Sequence, residues 1–259
     1  MVDLFVCEIL KLRRRKLFFL AVLTALFFPL AFNVLMGKPN DTFEDQITVC
    51  YQFTGYLIQI PLIVVLAAQL FSQEQESGAL KNLLCVPVAR AALATGKLLL
   101  LLLFSMVYSL SGYLTTLCFA LLRGLPLGGV ALHLLLSAAC GYLFFAAAMP
   151  CVLLVVFLNK STLICVIIAF FYATLNYILA MSKPVIFQPT GLNMGTLLPL
   201  PLLQRWLTQF FSAAGEQSRA YHAAFSPYFS STPACFAVLS AEAALCLAAI
   251  VRVYNRREA

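Results

Sequence analysis

Six stretches of this chain are too long and too apolar to belong to a water-soluble fold. A helix needs about 20 mostly apolar residues to cross the hydrocarbon of a bilayer. Leu17 to Met36, Phe53 to Phe71, Leu98 to Leu122, Leu134 to Leu158, Thr162 to Ser182 and Pro233 to Val251 each meet that length. The third opens with Leu98 to Leu103, six leucines that contribute about −3 kcal/mol to insertion at roughly −0.5 each. Of the 259 residues 63% are apolar and 10% charged, against about 25% charged in an ordinary soluble domain. This composition excludes a soluble globular protein, a disordered chain and a protein that reads nucleic-acid sequence. The expected fold is an all-α polytopic membrane protein with residues 1–259 as one transmembrane domain.

Orientation follows from Lys and Arg in the short flanks, because cytoplasmic loops carry the excess. With the N-terminus inside, twelve basic residues fall on the cytoplasmic side: Lys11, Arg13, Arg14, Arg15, Lys16, Lys81, Arg90, Lys97, Lys160, Arg252, Arg256 and Arg257. Five fall outside, Lys38, Arg123, Lys183, Arg205 and Arg219, together with the acidic Asp41, Glu44 and Asp45. Both termini are therefore expected in the cytoplasm. The first apolar run exceeds the 7 to 15 residues of a cleavable signal and ends in Asn33-Val34-Leu35-Met36-Gly37 rather than a small-residue cleavage site, so it reads as a span.

The chemistry-bearing residues are sparse. Gly96-Lys97, like Gly37-Lys38, lacks the earlier Gly and following Ser/Thr of a phosphate-cradling loop, so the chain is not expected to hydrolyse ATP. His133 and His222 form no constellation with carboxylates or cysteines in the sequence, which leaves them as interfacial polar residues. The nine cysteines show no CxxC or other metal-ligand spacing and read as small core residues. No metal and no cofactor is expected in this chain.

Between spans two and three runs Ser72-Gln73-Glu74-Gln75-Glu76-Ser77-Gly78-Ala79-Leu80-Lys81-Asn82-Leu83-Leu84-Cys85-Val86-Pro87-Val88-Ala89-Arg90. Leu80, Leu83 and Leu84 recur at i, i+3 and i+4, the stripe of a short amphipathic helix, and Pro87 ends it. Glu74 and Glu76 lie near its start and Arg90 and Lys97 beyond its end, each matching the helix dipole. Such a helix either lies on the headgroups or docks into a soluble partner, and composition alone does not choose between them.

The order Glu74, Glu76, Gly78, Leu80, Leu83, Pro87, Arg90, Lys97 resembles the first cytoplasmic loop of type-two ATP-binding-cassette permeases. Ala79 and Ala89 stand where that family usually has hydroxyl residues. The basic opening Glu8-Ile9-Leu10-Lys11-Leu12-Arg13-Arg14-Arg15-Lys16 and the six-span layout are similar too. Within the family the chain most resembles the bacitracin-export and lantibiotic-immunity permeases of Gram-positive bacteria, which carry no fused ATPase. The resemblance implies a permease in the bacterial plasma membrane, with ATP and Mg²⁺ held on a separate ATPase subunit and a second permease, identical or sibling, beside it. It implies a peptide antibiotic or another amphipathic molecule as cargo. Glu74, Glu76, Gly78, Lys81, Pro87 and Arg90 would then form the coupling element that meets the ATPase.

Two further features lie towards the C-terminus. The connection Lys183 to Thr232 contains Leu203, Trp206, Leu207 and Phe210 at helical spacing on one face, which predicts a helix in the outer membrane interface; short outer-leaflet helices at this place are also what the resemblance implies. Span six carries Glu242 near its middle, where an ionisable group costs about 3 kcal/mol, so that side is expected to face protein or water. Ala237, Ala241, Ser240, Ala244 and Ala248 provide the four-residue small spacing of close helix contact, and Asn176 in span five is a partner for Glu242 by depth. Glu242 reads either as part of a transport path or as a protonated structural group. Two other function classes stay open: an intramembrane lipid-modifying enzyme that acts alone, and a non-transporting anchor or sensor of a peptide-resistance system.

Overall fold

In the computed structural model the described residues are 16–37, 42–76, 90–158, 162–189, 191–211 and 216–256, and their regular structure is entirely helical. The elements are α1 (Lys16–Met36), α2 (Phe43–Val49), a π-helix (Cys50–Gln59), α3 (Ile60–Glu76), α4 (Arg90–Arg123), α5 (Val130–Leu158), α6 (Thr162–Met181), α7 (Lys183–Ile186), α8 (Met194–Leu197), α9 (Pro199–Leu207), α10 (Glu216–Phe225) and α11 (Thr232–Arg256). Six stretches are long and apolar enough to cross a membrane: Phe19–Met36, Phe43–Phe71, Ala91–Arg123, Val130–Leu158, Leu163–Met181 and Thr232–Val253. Helices suit this setting because lipid offers the backbone no hydrogen-bond partner. The protein is an all-α, multi-pass membrane protein.

The second span begins at Phe43, well ahead of the Phe53 expected from hydropathy. Polar Glu44, Asp45, Gln46 and Gln52 hide its first turns from an apolar count. Thr42 starts it with a capping box: its hydroxyl accepts from the Asp45 backbone N–H at 3.3 Å, and Asp45 accepts from the Thr42 N–H at 2.9 Å. Phe43 and Ile47 are fully buried there. The third span ends at Gly124, whose φ of 65° suits glycine. Leu125 donates to the Ala120 carbonyl and Gly124 to the Leu121 carbonyl, the paired bonds of a Schellman stop.

α5 is the centre of the bundle. Cys140, Leu143, Phe144, Ala146, Ala147, Ala148, Met149 and Val152 are all sealed, and α5 packs on the second, third and sixth spans. The first and fifth spans join through narrow stripes of mostly small residues: Ala21, Ala25, Pro29 and Asn33 on α1, and Cys165, Ala169, Ala173, Asn176 and Ala180 on α6. Small side chains let helix backbones approach in lipid, where burial of apolar surface gives no drive. Of the most apolar 18 residues of each span, 72% are buried in the second and 17% in the sixth, so most of α11 faces away from the bundle.

That exposure redirects one expectation. Ala237, Ala241, Ala244 and Ala248 lie on the exposed side of α11, and the helix docks instead through Cys235, Leu239, Ala243 and Ile250. Ser240 alone of the small set reaches inward, sharing a 2.7 Å hydrogen bond with Tyr142 of α5. Tyr142 also stacks on Phe236 of α11, with ring centres 5.9 Å apart.

Candidate functional site

Three regions carry the polar chemistry: the hairpin between spans two and three, the segment between spans five and six, and a seam inside the bundle. In the hairpin, Gly78, Lys81 and Pro87 lie outside the described residues, as do the side chains of Glu74, Glu76 and Arg90. Glu74 and Glu76 sit in the last turns of α3 and Arg90 opens α4. Just inside this end of the bundle Lys97 is fully buried, its ammonium 5.1 Å from the ring centre of Phe71. A cation on an aromatic face is attracted to the ring's quadrupole, and the contact ties the base of α4 to α3.

At the opposite end, all nine residues of α9 are buried. Leu203, Trp206 and Leu207 lie in the core and Phe210 packs against it in the following turn. The periodicity of these four is that of a helix, and protein covers it on every side, including Gln204 and Arg205. Polar residues tolerate this because each finds a partner distant in sequence. Gln204 accepts from the Tyr56 hydroxyl at 2.9 Å, and its amide donates to Thr208 at 3.2 Å. The Trp206 indole N–H donates to Thr232 at 3.0 Å, and its ring meets Phe236 edge-on at 5.9 Å.

Arg205, like Lys97, has no exposed surface. Its Nε donates to the Tyr228 carbonyl at 2.8 Å and its Nη2 to the Gln188 carbonyl, while Nη1 makes no hydrogen bond. Burial pushes the guanidinium below its ordinary value, since desolvation disfavours the cation. Gly195 allows the approach: a β-carbon there would stand 2.9 Å from Nη1 and 2.6 Å from the Val185 carbonyl. Arg205 thereby links the backbone just after span five to the backbone just before span six.

The seam runs between the second, third and fourth spans. Gln59 Nε2 donates to the Ser105 carbonyl at 2.9 Å and to the hydroxyls of Ser105 and Ser109 at 3.0 Å each. Ser109 returns a 3.1 Å bond to Gln59 Oε1, and Ser105 donates to the Gly141 carbonyl at 2.6 Å. Nearer the other end Tyr51 bonds Ser137 at 2.9 Å, and Asn33 donates to Thr116 at 3.0 Å. Gln59 and the Ser105/Ser109 pair were absent from the sequence reading. A polar residue in the middle of an apolar run, and two hydroxyls four residues apart on another, are the signals that mark them.

Glu242 is half-buried in α11, and its Oε2 is buried without a hydrogen bond. The Asn176 amide donates to the Tyr172 carbonyl in its own helix at 3.1 Å, and the structure records no hydrogen bond from it to Glu242. Tyr172, one turn earlier, donates its hydroxyl to the Ala147 carbonyl at 2.7 Å. His133 is flanked by Phe43 and Tyr51, and His222 meets Phe229 edge-on at 5.0 Å. Both pack on aromatic rings, and at Gly129 a β-carbon would lie 3.2 Å from both the Glu44 carboxylate and the His133 ring, so these two groups share one side of the site. Five of the seven described cysteines are buried free thiols.

Comparison with known proteins places this architecture. An 83-residue stretch, 32% of this chain, is 36% identical to the bacitracin transport permease protein BCRB of Bacillus licheniformis, and that stretch spans 38% of the relative's length. Residues 4–176, from the basic opening through most of span five, match the family described as ABC-2 family transporter protein. The chain is accordingly a multi-pass membrane protein belonging to the ABC-2 family of transporter proteins.

Proposed function

We propose that this permease exports an amphipathic or hydrophobic molecule from the membrane, driven by a separate ATPase subunit, and that the cargo is a peptide antibiotic of the bacitracin or lantibiotic type. The observation that carries the reading is the family match over residues 4–176, which includes the basic opening, the acidic-Gly-Leu-Pro-Arg hairpin and the spans on either side of it. In this reading both termini and the hairpin are cytoplasmic, following the twelve-to-five bias of Lys and Arg. Glu74, Glu76, Lys81 and Arg90 meet the ATPase, and Gly78 and Pro87 bound the coupling helix between them. ATP and Mg²⁺ are bound and consumed on that subunit, and this chain supplies no catalytic group. A second permease, identical or sibling, completes the translocation unit. The bacitracin relative supports the cargo class by its name and by the identity of one stretch.

Reversing Glu74 and Glu76 to Lys in cells that hold the ATPase is the test. Resistance to the peptide and co-purification of the ATPase should both fall while the permease stays in the membrane at its normal amount. Full resistance and undiminished co-purification would overturn the assignment. Thiol labelling of Cys85 from the cytoplasmic side alone supports the orientation, and labelling from outside the cell would reverse it.

A further inference from the structure

Between the first and third spans the bundle leaves a cleft of about 230 Å³, lined by Val22, Ala25 and Leu26 of α1, Leu66 of α3, and Leu100 to Ser111 of α4. Its floor is sealed protein, with Ala25, Leu66, Leu100 and Leu101 buried. Its rim faces out, since Leu26, Leu103 and Val107 are each about half exposed. Leu100 to Ser111 covers roughly 16 Å of helix at 1.5 Å per residue, close to half of the roughly 30 Å hydrocarbon thickness. Both helices run in the same direction, and the cleft lies in the half of the bundle towards the N-terminal end of α1.

Tyr108 closes the inner end. Its side chain is 2% exposed, and its ring also walls a second, much smaller cavity lined by Thr54, Gln59, Ser109 and Gly112. Its hydroxyl is buried with no hydrogen bond at normal distance, and Thr24 of α1 faces it. Tyr108 is thus a partition between an apolar cleft open to the bilayer and the polar seam of the interior.

We propose that this cleft is a binding site for one acyl chain of a bilayer lipid, which lies along α4 with Tyr108 at its inner limit. An apolar cavity of roughly 150 Å³ already takes up benzene, and unfilled walls forfeit their dispersion contacts. The medium at this depth is hydrocarbon chains. The site rests on the six spans lying in a bilayer and is independent of the proposed cargo.

The test uses the full chain in vesicles of phosphatidylethanolamine and phosphatidylglycerol, a fraction of the latter carrying a diazirine midway along one acyl chain. The protein is exchanged into detergent to strip loosely held lipid and then irradiated, and adducts are mapped by mass spectrometry. Adducts should concentrate on Val22, Leu26, Leu103, Phe104 and Val107, with few on the exposed Ile167 and Phe171 of α6. Ala25→Phe, which fills the floor, should reduce cleft adducts to the α6 level; Val22→Phe at the rim gives the same readout if the first variant does not accumulate. Equal labelling of cleft and α6, or labelling unchanged by both variants, would overturn the site. A Val107→Cys variant that joins two copies by a disulfide would also overturn it, by giving the cleft to a second permease.

Discussion

The hydroxyl of Tyr56, in the π-helical part of the second span, donates a 2.9 Å hydrogen bond to Gln204 of α9, although 148 residues separate them in sequence. Both side chains are buried. The bond joins the most enclosed span to the connection between spans five and six. Tyr56→Phe keeps the ring contacts with Phe144 and Tyr177 and leaves the Gln204 oxygen without its donor. The expected cost is about 1 kcal/mol, within the range for interhelical hydrogen bonds in lipid. Unfolding in mixed micelles measures it, and the double variant Tyr56→Phe with Gln204→Leu should recover part of the loss.

Gly55 sets the approach of the second and fourth spans. A β-carbon there would fall 2.3 Å from Phe144 Cζ, so the ring would have to leave its place against Tyr56. Gly55→Ala is expected to destabilise the bundle by about 1 to 3 kcal/mol, the usual cost of overpacking. The same micelle titration reads it, and Gly96→Ala is the control because its β-carbon meets open space.

Arg205→Lys is expected to behave much like a loss of function in the fold. An ammonium cannot present the planar fork that reaches Tyr228 and Gln188 together, and a hydrogen bond to a charged group contributes about 1.5 to 3 kcal/mol. Limited proteolysis of the membrane-embedded protein should then cut between residues 188 and 228 at protease levels that spare the unmodified chain.

Replacing Glu242 by Leu removes an ionisable group with a cost of about 3 kcal/mol in mid-membrane. Insertion of the isolated sixth span, measured by a glycosylation reporter in microsomes, should rise from partial to nearly complete. Glu242→Gln should give an intermediate value.

The six spans were readable because a bilayer demands one length and one kind of surface. Positions fixed by distant partners were harder to read. Hydropathy cut off the first turns of the second span, since Gln46 and Gln52 count against it while the Thr42 cap and the burial of Phe43 do not register. Leu203, Trp206, Leu207 and Phe210 announced a helix, but nothing local tells that Gln204 and Arg205 are satisfied by Tyr56, Gln188 and Tyr228. The small residues of α11 were legible as a pattern and not as a direction, because both sides of that helix are apolar. The pairing of Asn176 with Glu242 followed depth alone, and depth does not say that the Asn176 amide turns to the Tyr172 carbonyl of its own helix.

The tie at Arg205 bears on what would happen if the backbone were severed between Phe211 and Glu216. Arg205 and Trp206 lie on one side of such a cut, and their acceptors Tyr228 and Thr232 on the other. The two fragments would share an aromatic and charged clasp already formed without the peptide link. Two separately expressed pieces, 1–211 and 216–259, have the means to find each other and reassemble in the membrane.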